Sequence, residues 1–572
     1  MLISSEVIRI RLMTSVIALA GLIIVIRLYY LQVYAGEIFR ETANSQYEGS
    51  IVNNPYDRGF IYLRAKSGEQ ITAAGLASGY ILAINPRLTK NPDFLYAVLK
   101  PYLSINREQF MAKANKQNDP YEEIEKRLAP TIASKISDLN LEGVYLVRQH
   151  WRVYPGGKFM ANVLGFVGYN NYAFGGQYGV ERYYDNNLIR EDKSTYQNFI
   201  SDVLSIVPGD MFNRESARAA DITLSLEPKV QLRMESKLDE IVNKWKPTVA
   251  GILVIDPTSG KIFAMASSPS FNPNHYAEAS STRAYANPFV DEVYELGSIM
   301  KPITMSSALD AGTVTASSTY FDTGTLEIDG KKISDYDKKP RGIQTMQDVL
   351  KHSLNLGSVH VMRSLGRERY HDYLLKFGFG DKTGIDLPNE THNLMDNLEG
   401  GREVEYATAS FGQGIALSPI SMVRALSALA NGGYLIKPHV TGSLNYQFGQ
   451  VKEIQTIEQG RAISKTASEE VTRMLVEVVD TTLAGGKIKM PHYRIAAKTG
   501  TAQIANSATG EYYTDKFLHS FFGYFPAYNP RFLVFLFMRE PKGAQYASET
   551  LALPFRDIAQ FLINYYDIPP DR

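Results

Sequence analysis

The sequence predicts an α/β chain of the α+β kind: an antiparallel sheet flanked by helices, preceded by a mixed domain and one N-terminal membrane helix. Three observations predict it. Two apolar runs, Gly251-Ile252-Leu253-Val254-Ile255 and Lys261-Ile262-Phe263-Ala264-Met265-Ala266, flank the turn Asp256-Pro257-Thr258-Ser259-Gly260, which reads as an antiparallel hairpin. Strand-like runs then return only near the far end, at 494–497, 519–525 and 532–538. Between them lie stretches of helical spacing at 298–311, 345–377 with a break, 418–432 and 467–483, and a last amphipathic helix covers 553–566. Strands from both ends with helices between them predict one sheet with helices packed on it.

From the N-terminus, the elements follow in order. Residues 12–26 carry no charge, and after Arg27 an apolar and aromatic run continues to Val33. That span reaches roughly the 20 residues a membrane helix needs. Arg27 can snorkel, and Tyr29 and Tyr30 suit the headgroup belt. Arg9 and Arg11 precede the run, so the expectation is a cytoplasmic tail at 1–11, a transmembrane helix at 12–33 and everything beyond it outside. No small-x-small cleavage site follows, which favours an anchor over a removed signal peptide. Residues 40–225 are mixed and polar, with short strand-like runs at 80–84, 143–147 and 162–168; they read as a non-catalytic pedestal. At about 226 the texture changes to a helical stretch, Glu227 to Val242, and the catalytic domain is expected over 226–567.

Composition excludes several classes. The 572 residues exceed one core, but 60 basic and 60 acidic residues cancel, so no global field argues for nucleic acid. There is no cysteine, which removes disulfides, thiolate catalysis and Cys-based zinc sites. The nine histidines contain no His-x-x-x-His pair, and the reading calls for neither metal nor cofactor.

The chemistry rests on Ser298-Ile299-Met300-Lys301, the chain's only Ser-x-x-Lys. At a helix start that spacing puts both side chains on one face. A serine hydroxyl needs a base beside it, and a lysine withdrawn from water can be that base. Two further motifs each occur twice. Lys498-Thr499-Gly500 follows a β-prone run and fits a strand lining a groove, whereas Lys382-Thr383-Gly384 sits in turn chemistry. Ser353-Leu354-Asn355 falls at a break between helical segments, whereas Ser443-Leu444-Asn445 reads as a surface turn. The copies at 353 and 498 are therefore the candidates.

With these residues in order, the chain resembles the class B penicillin-binding proteins, membrane-anchored D,D-transpeptidases of peptidoglycan. Arg58-Gly59, Arg152-Val153-Tyr154-Pro155, residues 161–168 and Gly179-Val180-Glu181-Arg182 look like the family's pedestal motifs. Asp256-Pro257, Pro269-Ser270-Phe271-Asn272-Pro273-Asn274, Phe411-Gly412-Gln413-Gly414 and Ser418-Pro419 look like those of its serine transpeptidase/β-lactamase-like domain. The Pro-Ser-Phe-Asn-Pro-Asn stretch, the compact pedestal and the Ile568-Pro569-Pro570 ending lean to the septal, division-type subgroup over the elongation type. Leu354 departs from the family, many members carrying Ser there, and is expected to change the lining of the cleft.

The resemblance implies acyl transfer. Lys301 would deprotonate Ser298, which attacks the D-Ala-D-Ala carbonyl of a stem peptide. The N–H groups of Ser298 and Thr501 would form the oxyanion hole. Ser353 and Lys498 would relay a proton to the departing D-Ala, Asn355 would hold the substrate amide, and Thr499, Gly500 and Thr501 would bind beside its carboxylate. It also implies β-lactams as inhibitors and a bacterial inner-membrane enzyme, single-pass, with an extracytoplasmic catalytic domain. No Glu-Asp-x-x-Phe of a glycosyltransferase occurs, so a multi-span membrane glycan polymerase is the expected partner. A D,D-carboxypeptidase or β-lactamase would use the same residues with water as acceptor. A membrane β-lactam sensor or an inactive scaffold is the rival of a different class.

Overall fold

The computed structural model describes residues 58–116, 118–170, 173–190, 219–446, 449–506 and 509–572. The expected tail and membrane helix lie outside the described residues. Among the described residues no helix is long and apolar enough to cross a membrane.

Two compact units divide the chain. The larger holds a five-stranded antiparallel sheet in the order Ala496–Ala505, Tyr512–Phe525, Phe532–Arg539, Val249–Ile255, Ile262–Ser268. Strands from both ends of the domain do meet, through the pairing of Phe532–Arg539 with Val249–Ile255. Side-chain parity sorts the helices onto two faces. Phe521 and Phe525 pack on Phe555 of helix Ala552–Tyr565. Tyr524, one residue out of phase, shares a 2.7 Å hydrogen bond with Thr472 of helix Lys465–Thr481. Every residue of Val249–Ile255 is buried, as a strand covered on both faces requires. The flanking helices begin where the sequence supplies caps: Ser418 accepts from Ser421 N–H ahead of Pro419, and the Glu227 carboxylate from Val230 N–H ahead of Pro228.

The compact units do not coincide with a cut at about 226. Ile61–Arg64 pairs in parallel with Ala220–Leu224, which pairs in turn with Thr441–Tyr446. These pairings tie the segment 58–76 into the larger unit, and the segment 152–190 joins it through Arg58, which bridges to Ile189 and hydrogen-bonds Glu181. They run between residues hundreds of positions apart, which composition along the chain does not record. The run at 162–168 is also not one strand. Ala161–Leu164 is a short helix, and Gly165, at φ +75°, turns the chain into strand Val167–Asn170.

The smaller unit, within residues 77–151, packs helices Pro92–Leu99, Arg107–Ala114 and Pro130–Ser137 with strand Glu122–Leu128 around Leu82, Ile84, Leu99 and Phe110.

Candidate active site

Ser298 lies on a 3-10 turn, Gly297–Met300, that runs into helix Lys301–Asp310. In a 3-10 turn residues three apart eclipse, so Ser298 and Lys301 stack along one face; the Lys301 N–H donates to the Ser298 carbonyl. Two glycines let this turn touch the edge of the sheet. A Cβ on Gly297, at φ +65°, would stand 2.9 Å from the Thr501 carbonyl oxygen. One on Gly500 would stand 2.3 Å from Ser520 Oγ and 2.6 Å from the Leu296 carbonyl oxygen. The Gly297 N–H also donates to the Gly412 carbonyl at 3.0 Å, fastening the turn to the Phe411-Gly412-Gln413-Gly414 loop.

Ser353 occupies the break between helices Met346–Lys351 and Asn355–Leu365, in the left-handed region at φ +55°. It joins two buried lysines. Lys301 Nζ donates to the Ser353 carbonyl at 2.5 Å, to Asn355 Oδ1 at 2.8 Å and to Ser353 Oγ at 3.3 Å. Lys498 Nζ donates to Ser353 Oγ at 2.9 Å and to the Thr499 carbonyl at 3.0 Å. Both lysines are only 1% exposed. The structure thus brings Lys301, Ser353, Asn355 and Lys498 into one network, with Ser298 one turn from Lys301. Thr499, Gly500 and Thr501 follow Lys498 on strand Ala496–Ala505, at the end of the sheet order. Within the sheet that strand pairs on one side only, with Tyr512–Phe525. Its other side is the kind of edge an extended peptide can join. The Thr501 hydroxyl accepts the Ala547 N–H at 3.0 Å, leaving its own proton to donate.

Burial drives the electrostatics. It pushes the Lys301 ammonium well below the ordinary lysine range; the like charge of Lys498 adds to this and Asp335 opposes it. Burial lowers Lys498 to about 7. Lys301 is therefore tuned toward the neutral amine a general base needs, and a substrate carboxylate beside Lys498 would favour its charged form. Lys498→Ala removes the link to Ser353 and a charge-assisted contact worth about 1.5–3 kcal/mol. The expected result is acylation by a labelled penicillin slowed at least about tenfold, read from stopped time points on a gel.

Two acidic residues near the site escaped the sequence reading. Asp335 accepts the Asn355 N–H at 2.5 Å and the Leu356 N–H at 3.2 Å. No motif marks it; it directly follows the antiparallel hairpin of strands Thr325–Ile328 and Lys331–Ser334, and only the fold carries it to Asn355. Glu295, three residues before Ser298, accepts from Tyr512 O–H and Gly414 N–H, both at 3.1 Å, and burial pushes its carboxyl up to about 7. Its place in Glu-Leu-Gly-Ser was the available signal.

The duplicate motifs lie elsewhere. Lys382 is exposed in a turn whose Thr383 and Gly384 N–H groups bind Glu390. Ser443 is not in a surface turn: it is 1% exposed on strand Thr441–Tyr446, between Ala220–Leu224 and Val451–Glu453. Leu354 does not line the cleft either. It is fully buried among core residues, because the left-handed Ser353 turns its neighbour inward. Among the described residues no group of three His, Cys, Asp or Glu could hold a metal ion.

Comparison with known proteins identifies the family of the chain. The model of the penicillin binding protein transpeptidase domain matches residues 250–560, and that of the penicillin-binding protein dimerisation domain matches residues 57–202. Stage V sporulation protein D of Bacillus subtilis (strain 168) is 31% identical over 543 residues, covering 93% of this chain and 82% of its own. The peptidoglycan D,D-transpeptidase FtsI homolog of Mesostigma viride is 28% identical over 576 residues, covering 95% and 93%. The solved structure of penicillin binding protein 3 from Mycobacterium tuberculosis in complex with aztreonam superposes with a TM-score of 0.68, at 22% identity over 91% of this chain and 98% of that one. The chain belongs to the class B penicillin-binding protein family.

Proposed function

We propose that this chain is a peptidoglycan D,D-transpeptidase that works through an acyl-Ser298 intermediate. The observation that carries the reading is the buried Lys301–Ser353–Lys498 chain beside Ser298. Lys301 takes the Ser298 hydroxyl proton as Oγ attacks the penultimate D-Ala carbonyl of a stem peptide. Backbone N–H groups of Ser298 and Thr501 stabilise the developing oxyanion, the term that most lowers such barriers. The peptide C–N bond breaks, and the leaving D-Ala amine receives a proton relayed through Ser353 from the lysines. Asn355 holds the substrate amide, and Thr499 and Thr501 bind the terminal carboxylate beside Lys498. An amine from a neighbouring stem then attacks the Ser298 ester, restoring the serine and forming the cross-link. β-Lactams acylate the same oxygen; the family relative solved with aztreonam supports this.

The setting we propose is septal wall synthesis, on the motifs of residues 269–274 and 568–570. The apolar run at 12–33 anchors the chain in a bacterial inner membrane with the site outside. A multi-span polymerase supplies glycan, raising the local concentration of strands at the cleft. One experiment tests the reading. The full-length protein alone should form no glycan from lipid II. With such a polymerase added it should yield cross-linked product that penicillin abolishes, and its penicilloyl ester should persist. Glycan made by the chain alone would end the partner proposal, and rapid hydrolytic release of the ester would make water the natural acceptor.

A further inference from the structure

Asp335 is the feature of the site that neither motif nor family match assigns. It is 1% exposed. Its Oδ1 accepts from the N–H groups of Asn355 and Leu356, the first residues of helix Asn355–Leu365. The Asn355 side chain is held from the same hairpin: its Nδ2 donates to the Ser334 carbonyl at 2.8 Å while its Oδ1 accepts from Lys301. The other Asp335 oxygen, Oδ2, is buried and has no hydrogen-bond partner among the described residues.

We propose that Asp335 is a positioning residue for acylation: it pins the Ser353–Asn355 corner and supplies the counter-charge to Lys301, which is buried beside Lys498. This rests on the acyl-serine reading above. Two ammonium groups in one buried pocket repel, and burial disfavours both charges. Lys301 left to those effects would be neutral but too weak a base to take a serine proton efficiently. Asp335, one hydrogen-bonded residue away through Asn355, restores basicity in its ionised form; burial pushes its carboxyl up, and the Leu356 N–H and the Lys301 charge favour the carboxylate. The surrounding charges bear on the same balance. Asp322, fully buried on strand Thr319–Asp322, is a like charge near Asp335, and Tyr320 stands beside both. Arg341 lies 3.9 Å from Asp322 and offsets part of its charge. From the other elements Lys301 meets Ser353, Asn355 and Lys498.

The signs are distinct. Asp335→Asn keeps an oxygen for both N–H groups and deletes the charge, so Lys301 holds its proton less tightly. The acid limb of the acylation profile should move to lower pH by roughly one to three units, and the alkaline plateau should fall because the base is weaker. Asp322→Asn should do the reverse, since Asp335 then ionises more readily and the acid limb rises. The experiment is the rate of labelling of the full chain by a fluorescent penicillin across pH, with circular dichroism melting of each variant. A limb shifted down in Asp335→Asn and restored in Asp335→Glu supports the proposal. A uniformly slower rate with the limb unmoved, or a limb moved up, overturns it. If Asp335→Asn melts below the assay temperature, Asp322→Asn decides: a limb moved up supports the proposal, one unmoved or lowered overturns it. Wild-type protein that labels at no pH overturns the acyl-serine reading itself, a result distinct from a wild type that labels beside unshifted variants.

Discussion

Ser298→Ala is expected to abolish covalent labelling by penicillin while leaving the fold intact. Removing a serine nucleophile from such a site costs on the order of a millionfold in rate, far below detection on a gel. The fold is spared because the hydroxyl forms no hydrogen bond to another described residue, and Ala is compatible with the turn Gly297–Met300. Stability should change by less than about 0.5 kcal/mol. Lys382→Ala and Ser443→Ala are the matched controls and should label as wild type. Lys382 is exposed, and Ser443 loses only a long 3.4 Å contact to Asn445. Persisting label in Ser298→Ala, or lost label in either control, would show that the chemistry is built on other residues.

What the sequence made legible follows from which interactions are local. Ser298 and Lys301 share one turn, so spacing alone relates them. The choice of Lys498 over Lys382 came from β-propensity upstream, a local property, and strand Ala496–Ala505 runs through it. Ser353 was found from a gap in helical periodicity, and that gap is the left-handed residue between two helices. The same logic failed wherever partners are remote. Ser443-Leu444-Asn445 looked like a turn because its residues are polar, yet an interior strand tolerates polar groups that find partners, and Asn445 donates to Thr223 at 2.9 Å. Leu354, expected in the cleft because many family members carry Ser there, is instead fully buried next to Ser353, whose φ is positive. Asp335 had no motif and Glu295 only its place three residues before Ser298, and the importance of both lies in what the fold packs around them. The motifs of residues 58–59, 152–155 and 179–182 were recognised as family marks without a physical reason. The structure supplies one: three separate segments converge on a buried carboxylate.

Glu181→Ala should be among the most destabilising single substitutions in the larger unit. Its carboxylate is fully buried between two arginines: Arg58 Nη2 stands 2.9 Å from Oε2 and Arg152 Nε 2.6 Å from Oε1. Tyr154 O–H donates to Oε1 at 3.1 Å. Arg58 and Arg152 are themselves buried, and among the described residues only Asp185, 2.7 Å from Arg58, would remain to balance them. Breaking a buried ion pair from one side typically costs about 3–5 kcal/mol, because the orphaned charge stays in low dielectric. That is a large part of the about 5–15 kcal/mol by which a folded domain is stable. The two arginines hold the Glu181 carboxyl below its ordinary value against the burial that would raise it. A group whose folded pKa is depressed stabilises above its unfolded pKa and loses that contribution as pH falls through the folded one. The gap between wild type and Glu181→Gln should therefore be widest near neutral pH and close on acidification. Urea titrations of the two proteins at several pH values read this directly. None of the contacts of Glu181 involves Ser298, Lys301, Ser353 or Lys498, so the fraction that remains folded should acylate at the wild-type rate. A midpoint unchanged in Glu181→Ala would mean that water reaches these arginines and that the cluster contributes no net stability.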